Sequence, residues 1–215
     1  VGKSSIAVNL STSLATKKKK KVGLLDADIY GPSIPKMLGI YNKPELSKNK
    51  KIIPYEKFNI KSMSIGNMVP KETAVIWRGA MASNAIRQLY NDVEWGELDF
   101  LFIDLPPGTG DIQLSLCQTL SIKGSIIIST PQEVSLIDVR KAINMFKKVK
   151  VPILGMIQNM SYLEIGGKKE FIFGKDGVLN EAKSQNLNFF GEIPIIPKIA
   201  LSSDEGKPLA LEEKN

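Results

Sequence analysis

The chain opens with Val1-Gly2-Lys3-Ser4-Ser5, residue types whose order suits phosphate binding. A glycine lets the backbone approach a phosphate, a lysine places a cation on the β- and γ-phosphates, and a serine hydroxyl can ligate Mg²⁺. The helix predicted over Ser4–Thr16 would point its free N–H groups and the positive end of its dipole at the same anion. A Gly-Lys-Ser triplet also arises by chance in a lysine-rich chain. If the match is genuine, the first glycine of the G-x-x-x-x-G-K-[ST] pattern and the preceding strand are expected upstream of Val1.

Two predicted strands end in carboxylates, which a magnesium–phosphate site requires. The apolar segment Lys21–Leu25 runs into Asp26-Ala27-Asp28, and Asp99–Ile103 runs into Asp104. Parallel strands bring their carboxyl ends to one edge of a sheet, where ligands bind in open α/β folds. A carboxylate at this edge can hold Mg²⁺ or its bound water. The competing interpretation of Asp26 and Asp28 is two surface aspartates at a strand end.

The composition limits the chemistry and the setting. The chain has 215 residues, of which 43% are hydrophobic and 24% charged, as in an ordinary globular protein. No apolar run approaches the roughly 20 residues of a membrane span, so no membrane partner is expected. The single cysteine, Cys117, excludes an intramolecular disulfide and fits a reducing compartment, for which the cytoplasm is predicted. Histidine is absent, so acid–base or metal chemistry must use carboxylates, hydroxyls, lysines or the phosphates themselves.

The net charge of +7 comes almost wholly from lysine. Proteins that bind nucleic acids favour clusters of arginine with interleaved aromatic residues. The sequence has only Arg78, Arg87 and Arg140, which are far apart, so a nucleic-acid partner is not expected. The run Lys17–Lys21 lies at the predicted end of the first helix, where the helix dipole favours cations. We interpret the run as a solvated turn, with a patch for an anionic partner as the alternative.

Apolar strands alternate with amphipathic helices along the chain. This order predicts an α/β fold with a doubly wound, mostly parallel sheet and helices on both faces. No internal repeat or linker is visible, so residues 1–215 are predicted to form one domain. Further strands are predicted at Phe58–Ile65, Gly124–Ser129 and Val151–Ile157, and further helices at Ala80–Tyr90, Ile112–Leu120 and Glu133–Lys148. A short helix is expected at the end of Tyr30–Leu38, and another helix after Asp176 is followed by a short segment, Phe189–Ile193, of no assigned type.

Helical spacing of the apolar residues predicts which side chains face the core. Asp111 is expected to cap the helix that follows it. The residues predicted to face inward are Ile6, Leu10 and Leu14 in the first helix, Met81, Ala85 and Leu89 in the third, and Val134, Ile137, Ile143 and Phe146 in the longest.

Taken together, the motifs resemble the Mrp-type ATPases, which are iron–sulfur cluster carriers within the SIMIBI class of P-loop NTPases. The similarity extends over nearly the whole chain. Two blocks are specific to this family, DADIYGPS in Val22–Pro35 and DLPPGTGD in Trp95–Gln113. Further blocks are Val1–Ser5, Trp77–Met81, Ser129–Val139 and Asn159–Tyr162, with Ser203–Pro208 near the end.

The resemblance implies a role for each matched residue. Val1, Gly2, Lys3, Ser4 and Ser5 would close around the phosphates of ATP, with Ser4 on Mg²⁺. In the switch segments, Asp28 would orient the attacking water and Asp104 would lie beside the metal. Asn159 would read the adenine edge. The family also implies a homodimer whose nucleotide sites face each other, and protein partners that supply or receive a cluster.

One departure from the family concerns the cluster. Members that hold a cluster usually carry Cys-x-x-Cys after the NMSY block, but Tyr162–Phe173 contains no cysteine. Cys117 lies in a predicted amphipathic helix, where a cysteine is usually a small buried hydrophobe. Two functions therefore stay open: an ATP-hydrolysing iron–sulfur cluster carrier or assembly factor, and a positioning or scaffolding ATPase of the ParA/MinD kind that binds no cluster. The family-specific blocks favour the first, whereas the basic charge and the missing thiols favour the second.

Overall fold

Seven α-helices and nine β-strands make up the regular structure of residues 1–68 and 79–212, the part of the chain that the computed structural model describes. Trp77 and Arg78 of the matched block lie outside these residues. The elements are α1 (Lys3–Lys17), β1 (Val22–Asp26), α2 (Ile34–Leu38), β2 (Tyr55–Lys57), β3 (Ile60–Ser64), α3 (Gly79–Asp92), β4 (Phe100–Asp104), α4 (Asp111–Thr119), β5 (Ser125–Ser129), α5 (Glu133–Lys148), β6 (Ile153–Asn159), β7 (Leu163–Ile165), β8 (Lys168–Glu170), α6 (Gly177–Ser184), β9 (Phe189–Ile193) and α7 (Pro197–Asp204).

Contacts divide the chain into two units, and the prediction of one domain is left untested. The larger unit comprises Lys3–Pro107 and Lys198–Asn215, and the smaller unit comprises Val1–Gly2 and Gly108–Pro197. The larger unit holds a four-stranded sheet of order β2-β3-β1-β4, in which β1 runs parallel to both β3 and β4 and only β2 is antiparallel. The smaller unit holds a parallel sheet of order β5-β6-β9 and a separate β7–β8 hairpin. The mostly parallel α/β architecture is therefore confirmed.

The first helix packs on β1 through a different stripe from the predicted one. Every residue of β1 is buried, and Val8 and Ala15 of α1 join its core cluster. The most deeply buried residues of α1 include Ser11 and Thr12, which a hydrophobicity pattern overlooks. Ser11 is accommodated because its hydroxyl donates to the carbonyl of Val8 at 3.0 Å. Of the predicted residues, Leu14 packs against this cluster as predicted, although it is only half-buried, as are Ile6 and Leu10.

The predicted inward face of α5 is partly wrong. Val134 is 71% exposed and Ile137 is 46% exposed. The helix has two overlapping apolar stripes, and the Arg140 guanidinium helps to fix which one faces inward, because it pairs with the buried Glu181 of α6 at 2.8 Å and with Glu133 at 2.6 Å. The buried residues are Leu136, Val139, Ile143, Met145 and Phe146.

Smaller differences have local causes. Met81 of α3 is 54% exposed, contrary to the prediction, whereas Leu89 is buried as predicted, together with Ala82, Ser83 and Ile86. Asp111 is the first residue of α4 rather than its cap, which is Gly110. Phe58 and Asn59 adopt positive φ, so the strand predicted from Phe58 is instead a turn followed by β3.

No helix in the described ranges has the length and apolarity needed to span a membrane.

Two glycines bring the tail of the larger unit against α2. Gly39 ends α2 with φ +62, and Gly206 has φ +70. A Cβ at position 206 would lie 2.6 Å from the Gly39 Cα and 3.2 Å from the Lys36 carbonyl oxygen. Side-chain carbon atoms do not approach backbone this closely, so the contact requires glycine at position 206.

Gly206→Ala should therefore lower the free energy of unfolding by about 2–3 kcal/mol, combining left-handed strain with overpacking. Gly96→Ala is the matched control, because Gly96 has φ +64 but faces only the flexible end of Lys61. This control should lose about 1 kcal/mol, from the strain alone. Urea denaturation of both variants measures the difference, and equal losses would contradict the close contact.

Candidate nucleotide-binding site

In the larger unit, the start of α1 meets the end of β4. Lys3 and Ser4 form the first turn of α1, and Asp104 is the last residue of β4. The Ser4 hydroxyl and the Lys3 ammonium lie close enough to the Asp104 carboxylate to influence its pKa. Burial raises the pKa of Asp104, while Ser4 and the Lys3 charge act in the opposite direction. The predicted phosphate-binding and metal-binding residues are thus brought together.

The oxygen atoms of Ser4 and Asp104 fit a magnesium ion. The Oδ2 atom of Asp104 is buried and has no hydrogen-bond partner within the part of the chain that the structure describes. An unpaired buried carboxylate oxygen is costly, and a cation would satisfy it. Within the same residues no three His, Cys, Asp or Glu side chains could hold a metal ion. Mg²⁺ binds through one or two protein oxygens together with water and substrate phosphates, so the oxygens of Asp104 and Ser4 fit it.

The first turn of α1 also suits an anion. The initial N–H groups of any α-helix lack intrahelical acceptors, and here they belong to Lys3, Ser4 and Ser5. The carbonyl of Ser5 accepts from the Asn9 side-chain amide at 2.8 Å. The Ser5 carbonyl is thereby hydrogen-bonded within the helix. The Ser5 N–H group belongs to the N-terminal end of the helix, where a phosphate would bind.

Asp28 lies in the loop after β1, close enough for its charge to raise the pKa of Asp104. Its Oδ1 atom accepts from the backbone N–H groups of Tyr30 at 3.2 Å and Gly31 at 3.3 Å. Asp28 therefore joins Lys3, Ser4 and Asp104 at the carboxyl edge of the sheet, as predicted. In this conformation its carboxylate folds back onto its own loop.

Asp26, which the sequence analysis named as a strand-end carboxylate without a role of its own, belongs to this site, and the alternative of a surface aspartate is wrong for it. It is fully buried and accepts three hydrogen bonds, from the N–H groups of Asp28 and Ile34 and from the Ser64 hydroxyl. Burial raises its pKa to about 7. A signal was available in the sequence, because Asp26 directly continues an apolar strand and so points to a buried position.

In the smaller unit, Asn159 holds the backbone of the first two residues. Its Nδ2 atom donates to the Val1 carbonyl at 3.1 Å. Gly2 has φ +81, and a Cβ at this position would lie 2.2 Å from that same Nδ2 atom. The approach therefore needs glycine, for packing as well as for conformation. The expected role of Asn159 in reading adenine stays a prediction.

Cys117 and the segment Tyr162–Phe173 do not suit an iron–sulfur cluster. Cys117 is 5% exposed, as predicted, and burial raises the pKa of its thiol to about 11, which disfavours the thiolate that metals bind. The segment without the family's cysteines folds as the β7–β8 hairpin. Around this hairpin, Tyr162 packs edge-on against Phe171, and the Lys169 ammonium lies 4.0 Å from the Tyr162 ring centroid.

Asp26 should make the stability of the nucleotide-free protein depend on pH. Burial raises its pKa from the ordinary 3.8 to about 7, so the folded chain holds a proton that the unfolded chain has already lost. The contribution of Asp26 to the free energy of unfolding is then greatest below its unfolded pKa. It falls as the pH rises towards 7, by up to about 1.4 kcal/mol per pH unit. Urea denaturation in EDTA from about pH 5 to about pH 8 measures the slope.

Asp26→Asn should remove most of this slope. Asp138→Asn, on an exposed aspartate of α5, is the matched control and should leave it in place. A slope that Asp26→Asn does not alter would show that other groups cause the pH dependence.

Comparison with known proteins gives the family. A family model described as ParA: NUBPL iron-transfer P-loop NTPase matches residues 1–215. The iron-sulfur protein required for NADH dehydrogenase of Arabidopsis thaliana is 47% identical over 213 residues, 98% of this chain and 68% of that protein. The iron-sulfur cluster transfer protein NUBPL of Mus musculus is 45% identical over 99% of this chain and 68% of its own length. The iron-sulfur cluster carrier protein of Methanocaldococcus jannaschii is 49% identical, with 98% and 74% covered.

Solved structures agree. A nucleotide-binding protein of Archaeoglobus fulgidus in complex with ADP has a TM-score of 0.85 and 37% identity, over 99% of this chain and 84% of that one. The cell division ATPase MinD of Pyrococcus furiosus has a TM-score of 0.70 over 99% and 86%, and at 20% identity it supports the fold alone. The chain therefore belongs to the NUBPL iron-transfer family of ParA-type P-loop NTPases.

Proposed function

We propose that this protein binds Mg·ATP, hydrolyses it slowly, and serves as an iron–sulfur cluster carrier or assembly factor. The observation that carries the nucleotide chemistry is the buried Asp104 carboxylate, with one unpartnered oxygen and with Ser4 and the Lys3 charge beside it. Family membership supports nucleotide hydrolysis in general. The names of the curated relatives support the carrier role over a positioning role.

Hydrolysis would depend on positioning and charge rather than on a covalent intermediate. Lys3 would neutralise the β- and γ-phosphates, and the first-turn N–H groups of α1 would orient them. When bound through Ser4 and Asp104, Mg²⁺ would neutralise charge that develops on the phosphate oxygens. Asp28 would orient the attacking water once its carboxylate leaves the Tyr30 and Gly31 amides. Roles for Val1, Gly2 and Asn159 in nucleotide binding stay predictions from the family resemblance.

Lys3→Ala tests the nucleotide site. The loss of a charge that contacts phosphate should weaken Mg·ATP binding by roughly 100-fold or more. Lys17→Ala removes the same charge from the far end of α1, where the side chain makes only a long 3.4 Å contact with the Glu212 carbonyl. This control should bind normally. Isothermal titration of the full-length protein compares the two, and wild-type affinity in Lys3→Ala would place the site elsewhere.

The cluster itself would be cargo that residues 1–215 do not hold alone. A [4Fe–4S] cluster is normally bound by four thiolates, and the sequence supplies only the buried Cys117. Carboxylates near the hairpin are hard oxygen donors that suit such a cluster poorly. Binding of a cluster would then require cysteines of a partner or further cysteines of the protein.

Anaerobic reconstitution of residues 1–215 with iron and sulfide, followed by desalting, tests this proposal. We expect no stoichiometric iron and no charge-transfer band in the visible range. Cys117→Ser is the control and should give the same blank spectrum. Stable iron and a visible band that both disappear in Cys117→Ser would show that the thiol is a ligand after all.

We also propose that the protein forms a homodimer with its nucleotide sites facing each other. The family resemblance supports this arrangement, and exposed Val134 and Ile137, one turn apart on α5, offer apolar surface for contact. A cytoplasmic location, cluster-handling protein partners and the lack of membrane or nucleic-acid partners stay predictions.

Sedimentation velocity at micromolar concentration should show a dimer in the presence of Mg·ATP. Val134→Glu should shift the equilibrium towards monomer if α5 lies in the interface, because it buries a charge there. Lys148→Ala, at the other end of α5, lowers the net charge by the same amount and is the control for that change. A monomer with and without ATP would contradict the dimer.

A further inference from the structure

The loop that carries Asp28 is closed by a single carboxylate. At its start, Asp26 Oδ1 accepts from the Asp28 N–H at 3.1 Å. At its end, Asp26 Oδ2 accepts from the Ile34 N–H at 3.3 Å and also from the Ser64 hydroxyl at 2.9 Å. Asp26 therefore joins both ends of this loop to each other and to the neighbouring strand β3.

The far end of the loop is fixed by other contacts as well. Ile34 and Leu38 of α2 are buried in the core cluster around β1. On the exposed side of α2, Lys36 pairs with Asp204 of α7 at 2.7 Å. At the start of the loop, the side chains of Ala27 and Ile29 are buried, Ala27 donates to the Asp104 carbonyl at 3.0 Å, and Asp28 donates to Asp26. The Asp28 backbone N–H is therefore held directly by the Asp26 carboxylate, between two buried neighbours.

The chemistry of Asp26 fits a positioning role better than simple packing. A fully buried carboxylate is costly unless donors surround it, and an apolar residue at the end of a buried strand would avoid that cost. Here the carboxylate provides two oxygen atoms that accept from two separate points of the loop. Asparagine has nearly the same shape but offers one acceptor and one donor, so it can hold only one of the two ends.

We propose that Asp26 is the positioning residue for Asp28. It fixes the backbone from which the Asp28 side chain reaches the attacking water, and it does not contact the nucleotide itself. This inference rests on the proposed ATPase activity and adds to it a residue that acts through another.

A double-mutant cycle in the full-length protein tests the inference. Asp26→Asn should lower kcat for ATP by roughly 10- to 100-fold, the size of effect that a small misplacement of a reacting group produces. Affinity for ADP, measured by titration, should change by less than about threefold, because the residue acts on turnover rather than on binding. In the Asp28→Asn background, measured in single-turnover reactions, Asp26→Asn should cause almost no further loss.

Two serines of β3 serve as the second variant and the control. Ser64→Ala removes one donor to Asp26 and should lower kcat by a few-fold, which keeps the test available if Asp26→Asn does not fold. The Ser62 hydroxyl is buried without a hydrogen-bond partner among the residues described, so Ser62→Ala should leave kcat unchanged. Amide hydrogen exchange at Asp28 and Ile34 should quicken in Asp26→Asn and Ser64→Ala but not in Ser62→Ala.

The outcomes separate the inference from the proposed function. If the wild-type protein does not hydrolyse ATP, the proposed function fails. If it does and Asp28→Asn stops turnover, but Asp26→Asn and Ser64→Ala hydrolyse ATP normally, only the positioning role is overturned. Two other results would make Asp26 a residue of general stability instead. One is that the losses of kcat from Asp26→Asn and Asp28→Asn multiply in the double mutant. The other is that Asp26→Asn lowers ADP affinity and turnover in parallel.

Discussion

Two buried carboxylates end neighbouring parallel strands, and the active edge of the larger unit is built around them. Asp26 and Asp104 occupy matched positions in the register of β1 and β4. Burial raises the pKa of both, and the proximity of Asp104 adds to the shift at Asp26. Like charges at this spacing persist only if each has its own donors or a cation. Asp26 is satisfied by the loop of Asp28, while Asp104 is left with one oxygen for a metal.

The surrounding elements supply those donors. Parallel pairing on both sides of β1 brings Ser64 of β3 to Asp26 and the end of β4 to the same edge. The small side chains of α1 let its first turn reach Asp104 through Ser4. The proposed roles of these residues follow from this geometry. Asp104 and Ser4 would hold the metal, Lys3 would neutralise phosphate, and Asp26 would position Asp28.

The site also shows how the chain differs from the usual cluster carrier. The proposed nucleotide-binding residues lie together at one edge of a sheet, whereas the segment without the family's cysteines is a short hairpin with an aromatic pair and a lysine above a ring. The single thiol is buried, and burial raises its pKa to about 11. The proposed ATPase activity and the proposed cluster binding therefore depend on different residues.

The sequence by itself determined the order of elements, the parallel α/β class and the candidates Lys3, Ser4, Asp28 and Asp104, because periodicity and strand-end chemistry are local properties. It did not determine which apolar stripe of α5 is buried, because two stripes overlap. In the buried arrangement, Arg140 pairs with Glu181 of α6, a contact that only the tertiary structure provides. It also did not reveal the role of Asp26. A carboxylate becomes a positioning group only when Ser64, Asp28 and Ile34 converge on it, and that convergence of distant residues is decided by the tertiary structure.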